Sequence, residues 1–295
     1  MGLLARVKSI FGGDRLDVQS RFELLREAIH GTMSKFYQAR DRDSGRIVGL
    51  KVLNVKQHQA FENRFPGLDK PSEGEIAQQL THPAIVRTFE SGLTTKNEPY
   101  LVMEYIEGQG LNTLISTQDA GLQQRLKDHR MTILRQAAEA VAAVHAAGFI
   151  HRDVCPRNFV VSSSMEEVKL IDFGLTLPDE PPYRKPGNRT GTPRYMAPEI
   201  VKRRPTDRRV DIFSFGVTAF ELFAGEPPWP GVVTGQDAVI HASRPAAELS
   251  ERCQDIDSRT AAAIQSCLAA DPARRPQSME QFLKGIAHQG QETGC

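Results

Sequence analysis

The octapeptide His151-Arg152-Asp153-Val154-Cys155-Pro156-Arg157-Asn158 puts a carboxylate, two cations and an amide into one short polar loop. Upstream, residues 130–147 place Leu134, Ala138, Val141 and His145 on one helical face, and Gly148 stands where helices commonly end. Downstream, residues 159–161 and 168–171 read as short strands, and the second runs into Asp172-Phe173-Gly174. Further out, residues 48–53 form a strand pattern that carries Lys51, preceded by the turn signal Asp43-Ser44-Gly45. Ala197-Pro198-Glu199 closes a polar, proline-rich loop. Taken singly, each cluster also has a plain reading: a surface lysine, a solvated turn, a loop end.

Composition narrows the choice. The chain has 295 residues, 40% hydrophobic and 25% charged, the balance of a folded globular protein. Lys+Arg and Asp+Glu nearly cancel, leaving a net charge of +1, so no global field argues for nucleic acid as a partner. No apolar run is long enough to span a membrane. Cys155, Cys253, Cys267 and Cys295 lie far apart without metal-ligand spacing, which fits free thiols in the cytoplasm. Residues 1–11 carry Leu3, Leu4, Val7, Ile10 and Phe11 at helical spacing. They read as a frayed or docked terminal helix ended by Gly12-Gly13, with association to a membrane surface as the alternative.

The first hundred residues read as strands around one helix. That helix covers 72–80 and stops before His82-Pro83, and a strand covers 99–105. The remainder reads as helical. Residues 210–224 are apolar nearly all round, the mark of a buried helix, and Ser278-x-x-Gln281 opens the last helix as a capping box. The expected class is α+β: a small strand-rich lobe and a larger helical lobe, with ligands at the seam.

The order and spacing of the strand lysine, the loop 151–158, Asp172-Phe173-Gly174 and Ala197-Pro198-Glu199 resemble the eukaryotic-like, bacterial-type serine/threonine protein kinases. The resemblance runs from about Phe22 to Ile286 and implies a bilobal kinase fold, an antiparallel-sheet N-lobe with one helix and a mainly helical C-lobe. Its expected segments are an extension (1–21), N-lobe (22–104), C-lobe (105–288) and tail (289–295). It implies ATP and Mg²⁺ as cofactors and proteins as substrates. Asp153 would be the catalytic base, and Asn158 and Asp172 the metal ligands. Lys51 would contact the α/β-phosphates and be held by a helix glutamate. Counting back from His82 gives Glu73, favoured over Glu75, which lies about 200° away around the helix. Gly31 would cover the phosphates and Met103 the adenine, with the Glu104 carbonyl and Ile106 amide as hinge contacts. Thr192 would touch the catalytic aspartate, Thr190 would be the phosphorylation site, and Asp211, Glu199 and Arg275 would be scaffold.

Two departures stand out. Ile29 and Ser34 replace glycines of the phosphate-covering loop, leaving Gly31, and Cys155 stands where the family has a lysine. Arg157 reads either as its substitute or as a surface arginine. Loss of one charge-stabilising donor costs about 10²–10³ in rate, so turnover on the order of 10⁻³–1 s⁻¹ is expected. The alternatives are a pseudokinase acting as a scaffold and a small-molecule kinase of the antibiotic-phosphorylating type.

Overall fold

The structure is a computed structural model that describes residues 15–26, 29–30, 34–65, 67–185 and 191–287. They fall into two compact units: one runs to Thr81 and includes Val86–Glu107, the other takes His82–Ile85 and the chain from Gly108 onward.

In the first unit the elements are α1 (Val18–Arg21), β1 (Phe22–Leu24), β2 (Ile29–His30), β3 (Ser34–Asp41), β4 (Ile47–Leu53), α2 (Val55–Glu62), α3 (Glu73–Gln79), β5 (Thr88–Leu93) and β6 (Pro99–Glu104). The strands form one antiparallel sheet in the order β1-β3-β4-β6-β5, with β2 also pairing with β3. Strand β4 is rich in branched aliphatics and hydrogen-bonded on both sides, so it forms the sheet's centre. One face buries Leu16, Phe22, Ala39, Val48, Leu50, Tyr100 and Val102 as a core. Helix α3 begins at Ser72, whose hydroxyl accepts from the Glu75 amide while the Glu75 carboxylate accepts from the Ser72 amide. Among the described residues this region has three helices where one was expected. The Lys56-Gln57-His58-Gln59 stretch of α2 offers no apolar stripe for periodicity to detect, and α1 is too short to show one.

In the second unit, β7 (Gly108–Gly110) leads into α4 (Leu111–Ile115), α5 (Ala120–Ala146), β8 (Phe149–Ile150), β9 (Phe159–Ser162), β10 (Val168–Leu170) and β11 (Leu177–Pro178). Then come α6 (Pro198–Val201), α7 (Arg209–Ala224), α8 (Ile240–Ser243), α9 (Leu249–Arg252), α10 (Ser258–Cys267) and α11 (Met279–Ile286). Every residue of α7 from Val210 to Phe223 is buried, and the helix ends on Gly225 with φ 74°, a left-handed stop that suits glycine. Phe215 of α7 packs edge-on against Phe282 of α11, ring centroids 5.0 Å apart. Helix α5 begins ten residues before the pattern read over 130–147, because Asp119 caps it by accepting from the Leu122 amide at 2.8 Å and its first turns are mostly polar. The capping box expected at α11 is incomplete. Ser278 does accept from the Gln281 amide, but the Gln281 side chain accepts from Gln277 instead of Ser278.

Candidate active site

In the first unit, the pleat decides which side chains meet. Lys51 of β4 points to the face opposite the apolar core and is itself buried. Its Nζ lies 2.5 Å from Glu73 Oε1, also buried. Glu75, two positions on, spends its carboxylate on the Ser72 amide and hydroxyl at 2.8 and 2.9 Å. The capping chemistry thus separates the two glutamates into a helix fastener and a lysine partner. Met103 is buried on β6, opposite Gly49. Glu104 and Ile106 are half-buried; the Glu104 amide donates to the Arg87 carbonyl at 2.9 Å, and its carboxylate accepts from the Arg87 amide at 2.8 Å. Gly31 lies outside the described residues, as do Thr190 and the segment 1–11.

In the second unit, the loop after β8 is fixed from beneath by Asp211 of α7, which is fully buried. Its Oδ2 accepts from the His151 amide at 2.7 Å and from His145 Nε2 at 2.9 Å, and its Oδ1 accepts from the Arg152 amide at 2.8 Å. Burial alone would push this carboxyl up; the His145 hydrogen bond and charge, with the loop amide, reverse that and hold it below its ordinary value. Arg152 has φ 69°, a left-handed conformation unusual for a side-chain-bearing residue, and the Asp211 clasp holds it there. His151 is buried, which pushes its imidazole below the ordinary value and keeps it neutral. Its Nδ1 accepts from the Asp153 amide at 3.3 Å, so its proton sits on Nε2, beside the edge-packed ring of Phe173.

Asp153 is half-buried and tightly oriented. Its Oδ1 accepts from the Thr192 amide at 2.9 Å and from the Thr192 hydroxyl at 2.8 Å, and its Oδ2 accepts from Asn158 Nδ2 at 3.0 Å. A carboxylate has about four lone-pair directions. Among the described residues these bonds occupy three, leaving one on Oδ2. Thr192 comes this close because Gly191, at φ 111°, precedes it: a Cβ there would lie 2.8 Å from the Arg152 carbonyl oxygen.

Asn158 Nδ2 also donates to the Asp153 carbonyl at 2.7 Å. Both its partners are acceptors, which fixes the amide's orientation and turns Oδ1 away from them. The Ile171 amide donates to the Asn158 carbonyl at 2.8 Å, bringing the end of β10, and with it Asp172, alongside Asn158. Asp172 adopts φ 68° and accepts from the Gly174 amide at 3.1 Å. One amide oxygen and one carboxylate are hard oxygen donors. They fit Mg²⁺, which takes one or two carboxylates together with substrate phosphates, and no group of three or more His, Cys, Asp or Glu suited to a metal occurs among the described residues.

Cys155 is buried, and burial pushes its thiol up to about 12. Its Sγ lies 3.9 Å from the Thr192 hydroxyl. That hydroxyl instead accepts from the Arg157 guanidinium at 2.9 Å. Sequence left Arg157 between a surface residue and a substitute cation; the residue is exposed at a 3₁₀ turn, and its tip reaches the side chain that holds Asp153. Farther off, Arg275 and Glu199 form a buried two-pronged pair at 2.7 and 2.9 Å. The role of His145 as a second clasp on Asp211 had no signal in the sequence beyond its place on the apolar face of α5.

The protein kinase domain family matches residues 22–285. Serine/threonine-protein kinase PknB of Mycolicibacterium smegmatis is 31% identical over 290 residues, covering 93% of this chain and 44% of the relative. Serine/threonine-protein kinase pkn2 of Myxococcus xanthus is 30% identical over 284 residues, covering 93% and 33%. Serine/threonine-protein kinase PknA of Mycobacterium tuberculosis is 30% identical over 277 residues, covering 92% and 61%. The chain thus spans between a third and three-fifths of the length of these relatives. With the fold and the family match in agreement over most of its length, the chain belongs to the protein kinase domain family, and it is similar to bacterial serine/threonine-protein kinases.

Proposed function

We propose that this chain transfers the γ-phosphoryl group of ATP to serine or threonine hydroxyls of protein substrates. The observation that carries the reading is the Asp153 carboxylate, held by Thr192 and Asn158 with one acceptor direction to spare. A substrate hydroxyl donating to that direction has its oxygen oriented for attack on the γ-phosphorus. As the new P–O bond forms and the bond to the β-phosphate bridging oxygen breaks, ADP leaves and the hydroxyl proton passes to Asp153 Oδ2. Mg²⁺, when bound, supplies neutralisation of the developing phosphate charge. Asn158 and Asp172 are its holders, and Lys51, positioned by Glu73, contacts the α/β-phosphates. Met103, Glu104 and Ile106 receive the adenine. Arg157 takes the place of the cation that Cys155 does not provide, so turnover is slowed by the missing lysine without being lost. We further propose a cytoplasmic setting, since Cys155, Cys253 and Cys267 are free thiols. No helix among the described residues is long and apolar enough to cross a membrane.

The test is mass spectrometry of the purified chain, with a generic protein substrate, before and after Mg-ATP. Phosphoserine or phosphothreonine is expected from the parent and not from Asp153→Asn. Equal incorporation by both, or none from either with Mg²⁺ or Mn²⁺, overturns the reading. Ile29 and Ser34, in place of two phosphate-covering glycines, favour the second reading, a scaffold without turnover. That reading is supported if Mg-ATP leaves the melting temperature unmoved, since a ligand at about a hundred times its Kd adds about 2.7 kcal/mol.

A further inference from the structure

The charge of the chain is unevenly spread. Residues 202–209 read Lys202-Arg203-Arg204-Pro205-Thr206-Asp207-Arg208-Arg209, five cations and one carboxylate in a chain that nets +1, so the remainder is net negative. The Thr206 amide donates to the Arg184 carbonyl at 3.0 Å, which brings Arg184 and the exposed Lys185 alongside this loop. Asp179 pairs with both Arg184 at 2.9 Å and Arg208 at 3.7 Å, and Asp207 takes Arg209 at 2.7 Å. Lys202, Arg203 and Arg204 are exposed and form no ion pair with any described residue. The loop is fixed by its backbone. At the end of α6 the Arg203 amide donates to the Ile200 carbonyl at 3.1 Å, and the Arg204 amide donates to the Glu199 carbonyl at 2.8 Å. These are the paired bonds of a helix stop whose left-handed residue is usually glycine. That residue here is Arg203, at φ 53°, where a side chain costs stability that glycine would spare. A helix end welcomes one cation, but four-residue α6 has too short a dipole to answer three. Strain kept beneath an exposed, unpaired arginine points to a use for its charge outside the chain.

We propose that Lys202, Arg203 and Arg204, with Lys185 beside them, are a docking surface for an Asp/Glu-rich segment of a partner protein. Guanidinium forks match carboxylates two hydrogen bonds at a time, and a loop already fixed loses little entropy on binding. The patch offers no exposed aromatic ring to stack on a nucleic-acid base: residues 202–209 contain none, and Tyr183 is buried. The exposed large apolar side chains among the described residues all lie outside the patch, so nothing here inserts into a bilayer. A duplex or a membrane would also extend past the patch, to a molecule whose remaining charge is negative. A short acidic segment instead stays within about 10 Å of the cations it meets, the screening length at 0.1 M salt. The surface needs no turnover, so it stands apart from the phosphoryl-transfer reading.

The test is fluorescence anisotropy of a labelled peptide of alternating Glu and Gly, with a Gln-Gly peptide as its uncharged twin, on the full chain without ATP. Lys202→Ala/Arg203→Ala/Arg204→Ala should weaken the Glu-Gly peptide about thirtyfold, near threefold per cation, the scale of an exposed ion pair. Arg42→Ala/Arg46→Ala/Lys96→Ala removes as much charge from exposed positions of the first unit and should stay within about twofold of the parent. Arg203→Gly should bind about threefold more weakly yet melt no lower than the parent, since glycine suits the left-handed stop. That split separates a lost contact from a damaged fold. High salt should bring parent and triple variant together. Equal binding of the two peptides by the parent overturns the surface. So does a 202–204 triple variant within about twofold of the parent, or an equal loss in the two triple variants. Tighter binding of duplex DNA or of phosphatidylglycerol vesicles than of the Glu-Gly peptide also overturns it, and assigns the patch to nucleic acid or to a membrane instead.

Discussion

Arg157→Ala should lower kcat by about 10²-fold while leaving the ATP KM nearly unchanged, as expected for an interaction felt mainly in the transition state. The magnitude has two parts. The guanidinium donates at 2.9 Å to the Thr192 hydroxyl, which in turn donates to Asp153. A hydrogen bond from a charged donor is worth about 1.5–3 kcal/mol, and an exposed one sits at the low end, about tenfold in rate through the orientation of Asp153. An exposed cation able to reach the transferring phosphoryl adds about another tenfold, below the 10²–10³ of a buried, preorganised donor. Because Arg157 is exposed, its removal should move stability by no more than about 0.5 kcal/mol, so a rate loss is not a folding loss. The assay is initial-rate phosphorylation of a generic substrate across ATP concentrations, with melting curves on the same samples. Adding Cys155→Lys to Arg157→Ala should restore a large part of the rate, since it returns a cation to the loop. A kcat for Arg157→Ala within about threefold of the parent, with Asp153→Asn inactive in parallel, refutes the substitute-cation account.

Three further outcomes follow from the second unit. Glu199→Ala strands the buried Arg275 guanidinium and should cost about 3–5 kcal/mol, read as a melting drop on the order of 10 °C. The Asp211 carboxyl is held below its unfolded value, so its contribution is present above pH about 4 and is lost as pH falls through its depressed folded value. Asp211→Asn should therefore melt lower at pH 7 yet show a flatter decline between pH 5 and 3; parallel curves would count against the clasp. With its thiol pushed up to about 12 by burial, Cys155 should resist iodoacetamide at pH 8 in the folded chain and react in denaturant, which peptide mapping resolves.

Much of this was legible before any coordinates. The β4 strand with Lys51, the buried helix α7 and the segment from His151 to Asp172 all announce themselves through pattern and spacing. Between Glu73 and Glu75, sequence could count residues, but the choice of partner depends on which carboxylate the Ser72 cap consumes. Arg157 was undecidable from sequence, because whether an exposed arginine reaches Thr192 depends on a long side chain's path across a turn. Helix α2 was missed because its polar run Lys56-Gln57-His58-Gln59 leaves no apolar stripe to detect.

Glu73 is the first residue of its helix, so the lysine's counter-charge stands on a turn whose order depends on the Ser72–Glu75 cap. Whatever melts or tightens that single turn, whether a partner protein, a bound segment or a mutation at Ser72, sets the distance between the two charges without touching either. The small domain therefore carries its sensitivity to outside influence at the very residue that orients its ammonium group.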